Sequence, residues 1–424
     1  MKLLLSIVGL TFYFFVSAQQ TFIHAGQLID GTADKPLKEY TIVIKDGKIL
    51  KVAKGYLEPE DGDELIDLKN QTVMPGWIDM HVHLEGETNP DEYLKEFTRN
   101  PADIAFESTV YAKRTLMAGF TTVRDVGGTG VNIALRNAIN GGLVDGPRIF
   151  TSGKALAVTG GHADPTNGYR KDLMGNPGPK DGVVNGTDDA RKAVRQRYKN
   201  GADLIKITAT GGVLSVAKDG SGPHFAEDEI AMIVKTAKDL GMHVAAHAHG
   251  DEGMQRAVRA GVLTIEHGTY MSEATMQLMK EKGAYYIPTI TAGMSVALHS
   301  EEEGYYPEVV AKKAAVIGPQ ISSTFAKAYK MGVPIGFGTD AGVFPHGENY
   351  MEFVYMVEGG MPAMKAIQCA TSVNANILGM QDQFGTIKEG LSADIIAVDG
   401  DPLTDINAVK NVSFVMKEGK VYKN

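Results

Sequence analysis

His81 and His83 stand one residue apart at the end of the short, largely apolar run Trp77-Ile78-Asp79-Met80. On an extended strand, residues i and i+2 face the same side, so the two imidazoles aim at one point. Neutral nitrogen donors at a strand end make half of a site for a divalent metal such as zinc. An isolated His-x-His is equally compatible with two unrelated surface histidines, so the pair matters only if other segments supply partners. His247 closes the run His243-Val244-Ala245-Ala246, His267 closes Leu263-Thr264-Ile265-Glu266, and Asp340 follows Ile335-Gly336-Phe337-Gly338-Thr339. Lys206 sits inside Leu204-Ile205-Lys206-Ile207, where an ammonium is costly unless it is paired or modified. Singly, each has a plain structural role: a hydrogen-bonded core histidine, a cap on a turn, a lysine reaching a carboxylate. Together, imidazoles, a carboxylate and an amine at successive strand ends point to one convergent site.

The elements that must position these ends fall into two kinds. From Phe22 to Asp67 the chain reads as short alternating strands, with Asp46-Gly47 as a hairpin turn. The far end repeats the pattern: Ala393 to Val398 is a strand, and Val412 to Tyr422 a hairpin turning at Glu418-Gly419. Neither end alone has enough strands for a core, so the two predict one small β-sandwich domain, residues 19–73 plus 386–424. Between them, residues 74–385 alternate apolar β-type runs with helical patterns at 106–117, 187–200, 227–240, 253–260, 272–282 and 307–331. About eight such units predict an α/β fold, a (β/α)8 TIM barrel whose chemistry sits at the C-terminal strand ends. The rival, a doubly wound open sheet, lacks a Gly-x-Gly-x-x-Gly after an early strand.

Composition bounds the partners. The chain has 424 residues, 43% hydrophobic and 22% charged, with a net charge of −9 and no long block of one sign, which argues against a nucleic-acid partner. Lys2 precedes a mostly apolar stretch from Leu3 to Val16, and Val16-Ser17-Ala18 places small residues where a signal peptidase cuts. Residues 1–18 are therefore expected to be a signal peptide, the mature protein exported to a periplasm or secreted. The apolar run is shorter than the roughly 20 residues that span a bilayer, so no membrane span is expected after cleavage. Cys369, the only cysteine, lies in the helical pattern Ala363 to Ala375 and is expected to be a small core residue.

The motif Pro75-Gly76-x-Ile78-Asp79-x-His81-x-His83 resembles the opening metal motif of the amidohydrolase superfamily. Gly211-Gly212-Val213-Leu214-Ser215, His247-Ala248-His249-Gly250, Ile265-Glu266-His267-Gly268-Thr269 and Gly338-Thr339-Asp340-Ala341-Gly342 resemble its later motifs. The likeness is to the imidazolonepropionase-like branch, with its Xaa-Pro and related dipeptidases, and it covers almost all of the mature chain. It implies two divalent ions, zinc by expectation: one held by His81, His83 and Asp340, the other by His247 and His267. Lys206 would be N6-carboxylated and bridge both, a carbamate being a carboxylate-like ligand on a long arm. A hydroxide shared by the metals would attack an amide carbonyl, with Asp340 as both ligand and acid–base. His249 and His162, the latter in Thr159-Gly160-Gly161-His162-Ala163-Asp164, are the candidates to stabilise the oxyanion.

Tyr169 and Arg170 in a Gly-rich loop, and Ser215, are candidate substrate contacts. Arg124-Asp125 is expected to form an ion pair at the end of the second strand. His224, His243, His299 and His346 have no clear partner and are not expected to be ligands. The activity implied is cleavage of a peptide-like amide in a small-molecule or dipeptide substrate, a dipeptidase for Xaa-Pro or a related C-terminal residue. The alternatives are a cyclic-amide hydrolase of the imidazolonepropionase type, an N-acyl amino acid amidase, and a metal-free binding protein on the same fold. A homo-oligomer is compatible with the sequence, which does not set the oligomeric state.

Overall fold

The computed structural model describes residues 19–216 and 220–424; the expected signal peptide lies outside them. Four strands come first: β1 (Thr21–Leu28), β2 (Leu37–Lys45), β3 (Lys48–Lys54) and β4 (Glu64–Pro75). Seven strands interspersed with helices follow: β5 (Trp77–Val82), β6 (Phe120–Asp125), β7 (Arg148–Thr151), β8 (Ile205–Thr208), β9 (Val244–Ala248), β10 (Thr264–His267) and β11 (Tyr285–Ile287). The chain returns to strands with β12 (Ile395–Asp399), β13 (Val412–Lys417) and β14 (Lys420–Lys423).

The β-rich ends form one seven-stranded sheet, ordered β14-β13-β12-β4-β1-β2-β3. Its hairpins turn at Asp46-Gly47 and Glu418-Gly419, where all four residues have positive φ, as the twist of a two-residue hairpin requires. β4 is the join between the termini, parallel to β1 and antiparallel to β12. The polar stretch Lys69-Asn70-Gln71 hides it in the sequence. The register with β1 shifts opposite that stretch, and a Cβ on Gly26 would lie only 1.8 Å from the Lys69 carbonyl oxygen, so only glycine fits there.

In the middle, β5-β6-β7 and β8-β9-β10-β11 form two parallel sheets. Parallel bridges link Leu156 to Ile207, Tyr286 to Ile335 and Val82 to Ala341, so the free edges of both sheets are joined. Residues 334–341, predicted to start a strand, are not regular. They bond to both neighbours, Tyr286 N–H to Pro334 O at 2.8 Å and Met80 N–H to Phe337 O at 3.0 Å. Close packing is the reason. A Cβ on Gly338 would lie 2.4 Å from Ile287 Cγ2, and one on Gly336 2.7 Å from Asn374 Oδ1, so the segment is squeezed between its neighbours.

Helices Thr187–Asn200, Glu227–Asp239 and Glu273–Lys282 lie where their patterns predict them. The helix expected over 307–331 is two, Glu308–Ala314 and Ile317–Lys330, because Pro319 has no N–H to continue the ladder. Ile290–His299, Val131–Asn140 and Met351–Glu358 are further helices that the pattern did not reveal. Cys369 is buried, at the start of a π-helical turn rather than in a continuous helix, with its thiol 3.3 Å from Ile335 O. Trp77, Phe120, Phe337 and Phe353 pack in the interior, each pair with ring centroids 4.3–6.4 Å apart where they touch. Burying one such ring contributes about 2–3 kcal/mol, so this cluster fixes the ends of β5 and β6 beneath the site. Among the described residues, no helix is long and apolar enough to cross a membrane.

Candidate metal centre

β5 places His81 within its last turn of pleat and His83 just beyond it. The buried Glu266 Oε2 lies 2.9 Å from His81 Nδ1, while Glu266 Oε1 accepts from Arg124 Nη2 at 2.7 Å. Burial alone would raise the Glu266 carboxyl, but the Arg124 guanidinium, His81 and Lys206 together outweigh it and hold the group well below the ordinary range. The carboxylate therefore accepts a hydrogen bond from Nδ1–H and leaves His81 Nε2 with a free lone pair. His83 reaches the same state differently: Nδ1 donates to the Gly127 carbonyl at 2.8 Å. Burial also lowers His81 to about 4. For His83, burial pulls down but the adjacent Asp340 prevails and raises it.

Arg124 corrects an expectation. Its partner is Glu266 on β10, not Asp125, and it also donates to Met80 O at 2.7 Å. Neighbours on a strand point to opposite sides and cannot pair. Asp125 turns away, accepting from Leu84 N–H at 3.0 Å and Asn132 Nδ2 at 2.8 Å.

β9 and β10 supply the facing side. His247 Nε2 donates to Gly211 O at 3.1 Å, which leaves Nδ1 for a ligand. Nδ1 of His267 lies 2.8 Å from Thr289 Oγ1, and Nδ1 of His249 lies 2.8 Å from Thr269 Oγ1. Burial pushes His247 and His267 well below their usual range and His249 down to about 4, so all three are neutral donors at pH 7. His267, Thr289 and Asp340 have φ of 68°, 52° and 62°, left-handed values that cost non-glycine residues about 1–3 kcal/mol each. Glu352 helps hold this strain, accepting from Ile290 N–H at 2.9 Å and Thr291 N–H at 2.8 Å just after Thr289.

The donor atoms converge. One ligand atom each from His81, His267 and Asp340 lies within 4.8 Å of the others, and the same holds for His247, His249 and His267. Asp340 Oδ1 is 3.2 Å from His83 Nε2 and 3.4 Å from His81 Nε2, yet it is buried without a well-formed hydrogen bond. Lys206 Nζ is 3.4 Å from His81 Nε2, and burial lowers its amine to about 8. Lone pairs and a carboxylate crowded together without satisfying one another fit a divalent cation, so the cluster could hold a metal.

The cluster floors a cavity of about 620 Å³. His162 and His249 line it, as does Tyr169, whose ring lies 4.8 Å from that of Phe97. His162 stacks on His247 at 4.3 Å, and its Nδ1 is buried with no partner. Val213, Leu214, Val296, Ile317 and Ile321 form an apolar wall. The other predicted contacts are not brought here. Arg170 is 74% exposed and pairs with Asp172 at 2.6 Å, so its guanidinium is engaged at the surface. Ser215 turns its hydroxyl towards Gly212 O at 3.5 Å and is not on the cavity wall. Nor are His224, His243, His299 and His346; His299, for one, faces Glu302 at 2.7 Å.

Sequence reasoning assigned no role to Asp79, Glu266, Thr269, Thr289 or Glu352, all of which hold donors or their backbone in place. For Asp79 and Glu266 a signal existed, since each is a carboxylate within an apolar strand run, the same anomaly that singles out Lys206.

The sequence model of the Amidohydrolase family matches residues 72–422. An ochratoxinase from Aspergillus niger is 33% identical over 432 aligned positions, covering 96% of this chain and 87% of its own. Among solved structures, a Xaa-Pro dipeptidase with methionine bound in the active site superposes with a TM-score of 0.94 at 52% identity, over 96% of this chain and 100% of that one. A prolidase complexed with N-methylphosphonate-L-proline gives 0.87 at 34% identity, over 96% and 100%. A family match spanning most of the sequence, with relatives aligned nearly end to end and a buried cluster of His and Asp donors, leads to one conclusion: the chain belongs to the amidohydrolase family and is a hydrolase of carbon–nitrogen bonds.

Proposed function

We propose that the chain is a binuclear metal-dependent dipeptidase, cleaving the amide bond before a C-terminal apolar residue such as proline or methionine. The observation that carries this reading is the convergence of neutral imidazoles, Asp340 and Lys206 on the floor of an apolar-walled cavity. The likeness to a Xaa-Pro dipeptidase at 52% identity supports the substrate class. The proposed frame is a (β/α)8 barrel over residues 74–385, in which 334–341 stand as the eighth strand, with a β-sandwich domain from 19–73 and 386–424.

His81, His83 and Asp340 would hold one zinc ion and His247 and His267 the other, with Lys206 carboxylated between them. Bound metals supply Lewis-acid polarisation of the carbonyl and an activated water. Asp340 Oδ1, close to both His81 and His83, takes the proton released in attack and passes it to the departing amine. His249 is neutral, and the Thr269 hydroxyl donating to its Nδ1 leaves Nε2–H free to meet the oxyanion. His162, pushed down to about 3 by burial, is the second neutral donor.

The test is metal content per chain followed by a dipeptide library, with Asp340→Asn as control. About two metals per chain and release of the C-terminal residue, lost by at least 100-fold in Asp340→Asn, support the reading. Metal-free protein that cleaves no amide overturns it. The apolar wall also suits an N-acyl amino acid amidase, so the library includes acyl amino acids, and preference for these would select that reading instead. Export is proposed as well: N-terminal sequencing of protein outside the cytoplasm should begin at Gln19, and retention of Lys2 would overturn cleavage after Ala18.

A further inference from the structure

Away from the metal cluster the cavity holds charges of both signs, and its carboxylates are engaged while two of its cations are not. Glu85 accepts from Thr129 N–H at 2.6 Å and Asn132 N–H at 2.7 Å. Glu87 pairs with Arg114, Glu92 with Arg99, and Asp181 accepts from Gly178 N–H. Lys154 and Lys95 also line the cavity, and among the described residues neither ammonium has an ion pair or hydrogen bond. In a chain with a net charge of −9, two cations left without partners in the substrate cavity call for an anionic group on the ligand.

The two differ in mounting. Lys95 rides on the seven-residue helix Glu92–Thr98 at the rim. Lys154 follows β7, and its carbonyl accepts from Nε of the buried Arg197 at 3.0 Å. Two residues on, Leu156 N–H donates to the carbonyl of Lys206 itself at 2.8 Å. The segment also borders the metal cluster: a Cβ on Gly127 would lie 3.2 Å from His83 Cε1 and 3.9 Å from Ala155 Cβ. The backbone of Lys154 is therefore held in fixed register with the site, as the mounting of a specificity group must be.

We infer that Lys154 recognises the free α-carboxylate of the substrate's C-terminal residue, in the role that Arg170, held outside by Asp172, does not fill. This inference rests on the proposal that the site cleaves peptide-like amides. It makes the enzyme selective for free C-termini over otherwise identical blocked ones.

The experiment compares alanyl-methionine with its C-terminal amide in the wild type, Lys154→Met, Lys154→Arg and Lys95→Met. Calorimetric titration of each protein with L-methionine and L-methionine amide runs alongside. The wild type should favour the free acid by about 100-fold in kcat/KM, the scale of a desolvated charge pair. Lys154→Met should lose that preference mainly through KM and weaken L-methionine binding by a similar factor. Binding of the amide should be unaltered, and Lys154→Arg should recover part of the loss. An unchanged acid-to-amide ratio in Lys154→Met, or loss of the preference in Lys95→Met instead, overturns the inference while the dipeptidase reading stands. If neither substrate is cleaved but methionine binding still depends on Lys154, the dipeptidase reading falls and carboxylate recognition stands.

Discussion

Thr339 donates its hydroxyl to Asp79 Oδ2 at 2.6 Å and its backbone N–H to Oδ1 at 3.0 Å. The same carboxylate accepts from His81 N–H at 3.0 Å and Asn349 Nδ2 at 2.8 Å. One buried side chain thus ties the segment bearing His81 to the segment bearing Asp340, although 260 residues separate Asp79 from Thr339. Burial raises its carboxyl to about 6, so at neutral pH it is charged and all four donors are matched. Asp79→Asn turns one acceptor into a donor facing other donors. We expect a loss of roughly 2–4 kcal/mol in urea unfolding, and of about 1–2 kcal/mol for Thr339→Val, which removes one bond. A full-stability Asp79→Asn protein with normal metal content would refute this role.

Glu266→Gln should weaken binding of an added divalent metal by about 10–100-fold in chelator competition, because Nδ1 of His81 loses its anionic partner. It should also cost about 3–5 kcal/mol of stability by stranding the buried Arg124. Arg124→Met combined with Glu266→Met removes both charges. The double variant should regain most of the stability but not the metal affinity, which separates the two duties of Glu266.

A Cβ on Gly212 would lie 2.3–2.4 Å from three atoms of the His162 ring. Gly212→Ala should push that ring off His247 and lower kcat by about 10–100-fold while the unfolding midpoint barely moves, the size expected for one misplaced transition-state donor. His162→Asn should give a loss of similar size, and the two together little more than either alone. Additive losses would mean that Gly212 acts on something other than His162.

Recovery of metal-stripped enzyme should depend on pH through Lys206. Carbon dioxide reacts only with the neutral amine, and burial lowers that amine from 10.5 to about 8. At fixed dissolved carbon dioxide and zinc, the reactivation rate should therefore rise about tenfold per pH unit below 8 and level off above it. Lys206→Arg, always charged, should not reactivate. A rate flat from about pH 6.5 to 8.5 would exclude carboxylation at this position as the limiting step.

Much of this was legible in the residues themselves. Strand-and-turn alternation at both ends marked the seven-stranded sheet, because Asp46-Gly47 and Glu418-Gly419 are local turn signals. His81, His83, Lys206, His247, His267 and Asp340 stood out because a polar group in or at the end of an apolar run is anomalous wherever it occurs. β4 was not legible, since its middle is polar and its pairing partners lie far along the chain. The irregular course of 334–341 was hidden too, because its cause is contact with Ile287 and Asn374.

What the sequence by itself determined is which groups could carry chemistry and on what kind of element, for these follow from residue type and local period. Only the tertiary structure decided how each group is presented. Glu266, Gly127 and Gly211 choose the imidazole nitrogens of His81, His83 and His247 that stay free, and none of these partners is a near neighbour in sequence. His81, His247 and His267 are neutral because burial removes water from them, a property of the packed interior and not of the chain. The His-x-His pair needs only a strand to be aligned; it needs the whole fold to leave the right lone pairs facing one point.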